Sequence, residues 1–224
     1  MMGGMAQVRI TVASARVVVR GEDRPTVSVQ GASTSGPDDD LVVQGRSQPV
    51  TVLVPAGSDV VVGSESGKVS LEGTLGSVRV TTASGAIDAA DVAAIDARTT
   101  SGRIVVGVSR GPVRLTTRSA RIELGRADGP VTASTTSGRL RVDDARSGAA
   151  LRSVSGRIEL GVSGPGAVDA ETVSGRIRIT VPPDQRPDVQ LRTKSGRERI
   201  ECTTGADFPI RARSVSGAIT VTNP

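Results

Sequence analysis

Residues 99–104, Thr99-Thr100-Ser101-Gly102-Arg103-Ile104, decide how this chain is read, because close variants of the stretch recur almost to the C-terminus. Its serine reappears as Ser66, Ser84, Ser101, Ser119, Ser137, Ser155, Ser174, Ser195 and Ser216, at successive spacings of 18, 17, 18, 18, 18, 19, 21 and 21 residues. A fixed period of this size is the signature of a solenoid, in which each repeat is one coil that can bury its apolar face only by stacking on the next.

The parity inside each repeat says which side chains point inward. Val78, Val80, Thr82 and Ser84 stand at alternate positions, as do Val113, Leu115, Thr117 and Ser119. Successive side chains of a strand face opposite sides of a sheet, so all four are expected on the inward face. After Gly85 the next apolar residue is Ile87, three beyond Ser84, and the change of parity at the glycine marks a corner. A second strand starts there, with inward pairs such as Ile104 and Val106, Ile122 and Leu124, or Ile158 and Leu160. The predicted fold is all-β: a single-domain, β-helix-like β-solenoid with about 18–21 residues and two main strands per coil.

Upstream, Val8, Ile10, Val12, Val17 and Val19 make a degenerate first coil, and residues 20–58 break the period with short alternating runs and a turn-rich stretch at 33–40. Solenoids shield the ends of their core with atypical units. Residues 1–58 are therefore expected to hold the first coil with capping strands and a loop, and residues 59–224 the regular repeats.

Composition limits the chemistry. The 224 residues include no Trp, no Tyr, one Phe, no His and one Cys. The core must come from Val, Ile, Leu and Ala. A zinc site of the usual type has no ligand set, an intrachain disulfide has no second cysteine, and a nucleophilic triad has no histidine. A solenoid that cleaves polysaccharide needs paired carboxylates beside aromatic platforms, and the platforms are missing. Calcium needs several oxygens converging on one point, whereas Asp88, Asp91, Asp128, Asp143 and Asp144 are scattered. The expectation is no catalytic residue, no cofactor and no metal. No stretch approaches the ~20 apolar residues of a membrane span and the N-terminus lacks the apolar run of a signal peptide, so a cytoplasmic protein without a membrane span is expected. The corner hydroxyls are expected to bond backbone groups rather than form an array for ordered water, and the corner glycines to adopt a conformation that costs other residues more.

Net charge is +5, and of 28 basic residues only Lys68 and Lys194 are lysines. Arg103, Arg121, Arg139, Arg157 and Arg176, with Lys68 before them, take the same outward position in successive repeats. Cations at ~5 Å spacing repel one another. Glu123 and Glu159 are placed to offset part of that repulsion, and the remainder could attract an acidic polymer, a nucleic-acid backbone or an acidic protein.

Arg16-Val17-Val18-Val19-Arg20-Gly21-Glu22-Asp23, followed by iterated Thr-Thr-Ser-Gly-Arg-Ile or Ser-Val-Ser-Gly-Arg-Ile, resembles the bacterial DUF4097 family of β-strand-repeat proteins, labelled as candidate adhesins. The resemblance covers nearly the whole chain. It implies a β-solenoid fold and offers no catalytic motif to carry over.

Two functional readings follow. The first is a non-catalytic scaffold or adhesin-like protein-interaction module that self-associates or takes a protein partner through its C-terminal coil, with Ile219 and Val221 at the association edge. The second is an anion-binding protein that uses the arginine ladder. Cys202 is expected to be a buried core residue standing where Leu160 stands, its coil shifted by two extra residues.

Overall fold

The computed structural model describes residues 6–37 and 39–224, and among them there is no helix. They divide into two compact units, residues 1–111 and 112–224.

The first unit holds β1 (Gln7–Val12), β2 (Val17–Glu22), β3 (Ser28–Gln30), β4 (Ser33–Ser35), β5 (Asp40–Gly45), β6 (Val50–Pro55), β7 (Asp59–Ser64), β8 (Val69–Thr82), β9 (Ile87–Thr99) and β10 (Ile104–Ser109). Two parallel ladders run through it. One stacks β5, β1, β7 and the C-terminal half of β8, with β9 following. The other stacks β6, β2 and the N-terminal halves of β8 and β9, then β10. The degenerate first coil is therefore not outermost: β1 lies between β5 and β7, and β2 between β6 and β8. Antiparallel β4 and β3 then lie along the free edges of β5 and β6.

The second unit holds β11 (Val113–Thr117), β12 (Ile122–Ala127), β13 (Val131–Thr135), β14 (Leu140–Ala145), β15 (Ala149–Ser153), β16 (Ile158–Val162), β17 (Val168–Thr172), β18 (Ile177–Thr180), β19 (Asp188–Thr193), β20 (Glu198–Glu201), β21 (Pro209–Ser214) and β22 (Ile219–Thr222). Its two ladders run β11, β13, β15, β17, β21, β19 and β12, β14, β16, β18, β22, β20. All of these pairs are parallel; the register shifts once, between β14 and β16 past Val142.

Alternation explains the burial. Val78, Val80 and Thr82 are at most 4% exposed, and Leu115, Leu151 and Ile158 are sealed at 0%. Valine, isoleucine and leucine suit such a surface because branched side chains pack well on a pleat. Ser84 and Ser119 depart from the expected parity: the strands end at Thr82 and Thr117, and the serines are exposed on the corner itself.

The corner glycines are required for a different reason from the one expected. Positive φ occurs at Gly31, Gly36, Gly57, Gly73 and Gly148, and not at the repeated corner glycines such as Gly85, Gly102, Gly138 and Gly156. What these corners require is close approach between coils. A Cβ on Gly138 would stand 1.9 Å from the Ala120 carbonyl oxygen, and one on Gly156 1.9 Å from that of Gly138. The glycine lets one backbone lie against the next.

Candidate functional site

The arginine ladder is real as geometry within the second unit. The N–H groups of Ile122, Leu140 and Ile158 donate to the carbonyls of Arg139, Arg157 and Arg176, at 2.9 Å each, so Arg121, Arg139, Arg157 and Arg176 stand on adjacent coils. Beyond Arg176 the row is broken, because Ile177 donates to Ala218. Arg103 occupies the same position in the first unit, where its carbonyl accepts from Ile87.

Most of this charge is answered locally. Arg121 pairs with Glu123 at 3.3 Å and Arg157 with Glu159 at 3.5 Å, each two residues along the chain. Arg103 lies 3.7 Å from Asp88, which also takes Lys68 at 2.7 Å. On the next row outward, Arg141 donates to Asp143 at 2.6 Å, and this hydrogen bond raises the guanidinium pKa further above its ordinary value. Among the described residues Arg139 and Arg176 have no ion-pair partner. Exposed pairs of this kind are screened by solvent and contribute little, so they balance the surface without fixing it.

Ile219 and Val221, expected at an association edge, do not lie on an open edge. Both are 0% exposed, and β22 is paired on both sides, with β18 and with β20. The chain's last coil is inserted under the coil before it, which leaves β19 and β20 outermost. Among the described residues β19 pairs only with β21, and β20 only with β22. Inward positions that are sealed one coil deeper are open here. Val189 and Leu191 are half-buried beside fully buried Ile210 and Ala212, and Ile200 is 46% exposed beside Val221 at 0%.

Cys202 is corrected by the same register. Glu198 aligns with Ile219 and Ile200 with Val221, which in turn align with Ile177 and Ile179 and then Ile158 and Leu160. Ile200, not Cys202, stands where Leu160 stands; no two-residue shift occurs, because register is counted from the glycine corner. Cys202 lies past the end of β20 and is half-buried, and that burial pushes its thiol pKa up. The inward Glu198 is tolerated because nothing encloses it, and its carboxylate accepts the Thr193 N–H at 2.6 Å.

The sequence did contain a sign of this edge that periodicity passed over. The Ser-Gly-Arg steps from Gly102 to Gly175 are each followed by Ile or Leu, whereas Gly196-Arg197 is followed by Glu198. An inward-pointing charge is one of the devices by which edge strands are blunted. A second feature lies outside the inward alternation: Val154, Val173 and Val215, each 45% exposed, follow the register-aligned Ser153, Thr172 and Ser214 and make an apolar row along one corner.

No curated protein matches this chain. Among solved structures, a crystal structure of a candidate cell adhesion protein from Clostridium sporogenes aligns over 98% of this chain and 93% of that one, at 6% identity and a TM-score of 0.21. The profile of the Toastrack DUF4097 family matches residues 6–223. With the match spanning almost every residue and the ladders forming a β-solenoid, the chain belongs to the Toastrack DUF4097 family.

Proposed function

We propose that this chain is a non-catalytic β-solenoid scaffold of adhesin-like type that works by interaction, and that it associates through the outer edge of β19 and β20. The observation that carries the reading is the half-open core at that edge. Val189, Leu191 and Ile200 occupy inward positions whose counterparts Ile210, Ala212 and Val221 are sealed, and the outer N–H and C=O groups of both strands lack a ladder partner among the described residues. Glu198 blunts the start of β20, and β19, whose inward residues carry no charge, is the strand that accepts another, with main-chain hydrogen bonds supplying affinity and alternate side chains supplying specificity.

Anion binding by the arginine ladder has less to support it. Arg103, Arg121 and Arg157 each already hold a carboxylate, and the two unpaired members, Arg139 and Arg176, are two coils or ~10 Å apart.

Sedimentation velocity across a concentration series tests the edge. The wild type should associate, and Leu191→Lys with Ile200→Lys should remain monomeric with an unchanged circular dichroism spectrum. A wild type that stays monomeric at the highest concentration would sink the reading.

A further inference from the structure

Resting on that reading, we propose that the strand added to this edge is β19 of a second copy of the same chain, paired antiparallel about Gln190 in a two-fold dimer.

The outward side chains of β19 are Asp188, Gln190 and Arg192, all exposed, and the inward ones are Val189, Leu191 and Thr193. A two-fold axis through the centre of an edge strand sets that strand antiparallel to its copy, with residues directly opposite each other. Centred on Gln190, the axis brings Asp188 opposite Arg192 of the second copy and Arg192 opposite its Asp188. Gln190 meets Gln190, whose amide can donate and accept at once. On the inward side Val189 meets Leu191 in both directions, which continues the apolar layer across the junction. The pentapeptide Asp188-Val189-Gln190-Leu191-Arg192 is thus complementary to its own reverse in both charge and apolarity.

The charges also say that something is wanting on the open side. Arg192 is in register with Arg213 on β21, so two guanidinium groups stand side by side. Arg213 has its acid, Glu171 at 3.4 Å, whereas Arg192 has no ion-pair partner among the described residues. Asp188 is in register with Pro209, and among the described residues its carboxylate is met only by the Gln190 side-chain amide, at 3.2 Å. Antiparallel pairing about Gln190 supplies each with its opposite. β20 has the same symmetry: about Ile200, Arg199 would face Glu201 of the second copy in place of its own Glu201, at 3.4 Å in the free chain. Glu198, the inward charge of β20, is already held by the Thr193 N–H. Growth by translation would need a second open edge. In the first unit the corresponding strands β5 and β6 already carry β4 and β3.

Charge exchange at two exposed positions tests the register without touching the core. Asp188→Arg and Arg192→Asp should each weaken self-association about tenfold or more, because each replaces two opposite-charge contacts with two like-charge ones. The double variant Asp188→Arg/Arg192→Asp should recover it. An equimolar mixture of the two single variants should also associate, since the arginine introduced in one then faces the aspartate introduced in the other. Recovery in both the double variant and the mixture is the expected result by sedimentation velocity. If the wild type associates and Leu191→Lys abolishes this, while the charge exchanges leave the affinity unchanged, the edge stands and the second-copy register is overturned. A wild type that remains monomeric overturns both.

Discussion

Each unit contains one coil placed out of chain order, and the two coils have met opposite fates. In the first unit β5 and β6 lie outside the first coil, and short polar strands cover them: Ser33–Ser35 along β5 and Ser28–Gln30 along β6. In the second unit β19 and β20 lie outside the last coil without a cover among the described residues. The inward residues follow suit. Val43, Val50, Val52 and Val54 are 0% exposed, while Val189 and Leu191 are half-buried and Ile200 is 46% exposed. All are apolar, so what separates them is not residue type but whether a neighbouring strand closes the layer. Three-residue polar strands suffice as a lid because they satisfy the edge backbone while offering almost no edge of their own.

The contrast is sharpest between Ile219 and Ile200, one coil apart in the same ladder. Ile219→Ala should cost about 2–5 kcal/mol, the usual range for a sealed core residue that leaves a cavity behind. Ile200→Ala should cost less than about 1 kcal/mol in the monomer, since its side chain is 46% exposed and surface truncations have small effects. Urea denaturation of both variants at low protein concentration measures the difference. Equal costs would mean that the outer coil is covered in solution, or that β22 is not inserted beneath it.

The next largest effect belongs to the lid. Gly31 joins β3 to β4 with φ of +83°, and a Cβ there would stand 2.0 Å from the Pro49 carbonyl oxygen. Gly31→Val should therefore cost about 2 kcal/mol of backbone strain. It should lift β3 and β4 from the edge, making the first unit's outer coil resemble the second's. Hydrogen exchange reads this directly: the β5 and β6 amides should lose protection while those of β7 keep theirs. Unchanged protection in β5 and β6 would show that the lid does not depend on this turn.

How far the sequence could be read follows from which interactions are local. Val78, Val80 and Thr82 announce their strand by alternation, and Gly85 its corner by a change of parity, because both are properties of consecutive residues. The order in which coils stack is not local. Ile210–Ser214 presents nearly the same pattern of inward apolar residues to β17 as Asp188–Thr193 would, so nothing in the period says which of the two lies next to it. The arginine ladder was legible for the same reason as the strands, and its neutralisation by Glu123 and Glu159 could be read from parity alone. Chain order puts Ile219 and Val221 on the outermost strand, whereas stacking order puts β19 and β20 there. Glu198, where an isoleucine was due, is the residue that distinguishes them.

The smallest expected effect concerns the corner hydroxyls, where the corners that carry Val154, Val173 and Val215 differ from the others. In the first unit Thr82 Oγ1 accepts the Gly85 N–H at 3.0 Å and donates to the Glu65 carbonyl at 3.3 Å, and Ser64 and Thr99 accept from Gly67 and Gly102 in the same way. In the second unit the hydroxyls of Ser153, Thr172 and Ser214 are buried without a hydrogen-bond partner among the described residues. The backbone explains the difference. At the first unit's corner the N–H groups of Thr100 and Ser101 converge on the one carbonyl of Ala83, where the Thr99 hydroxyl also donates, at 3.4 Å. At the valine corner Val173 donates to Ser153 and Ser174 to Val154, so the two N–H groups no longer converge on one carbonyl, and the shared acceptor beside the hydroxyl is lost. Removing a bonded hydroxyl leaves its partners unmet, whereas replacing an unbonded one by a methyl of similar shape removes a group already buried at a cost. Thr82→Val should therefore destabilise by about 1–2 kcal/mol, and Thr172→Val should be neutral or slightly stabilising. At ~2–4 °C per kcal/mol for a chain of this size, thermal melts separate the two. Matching falls in Tm would show that Thr172 is satisfied after all, and that the two kinds of corner are energetically the same.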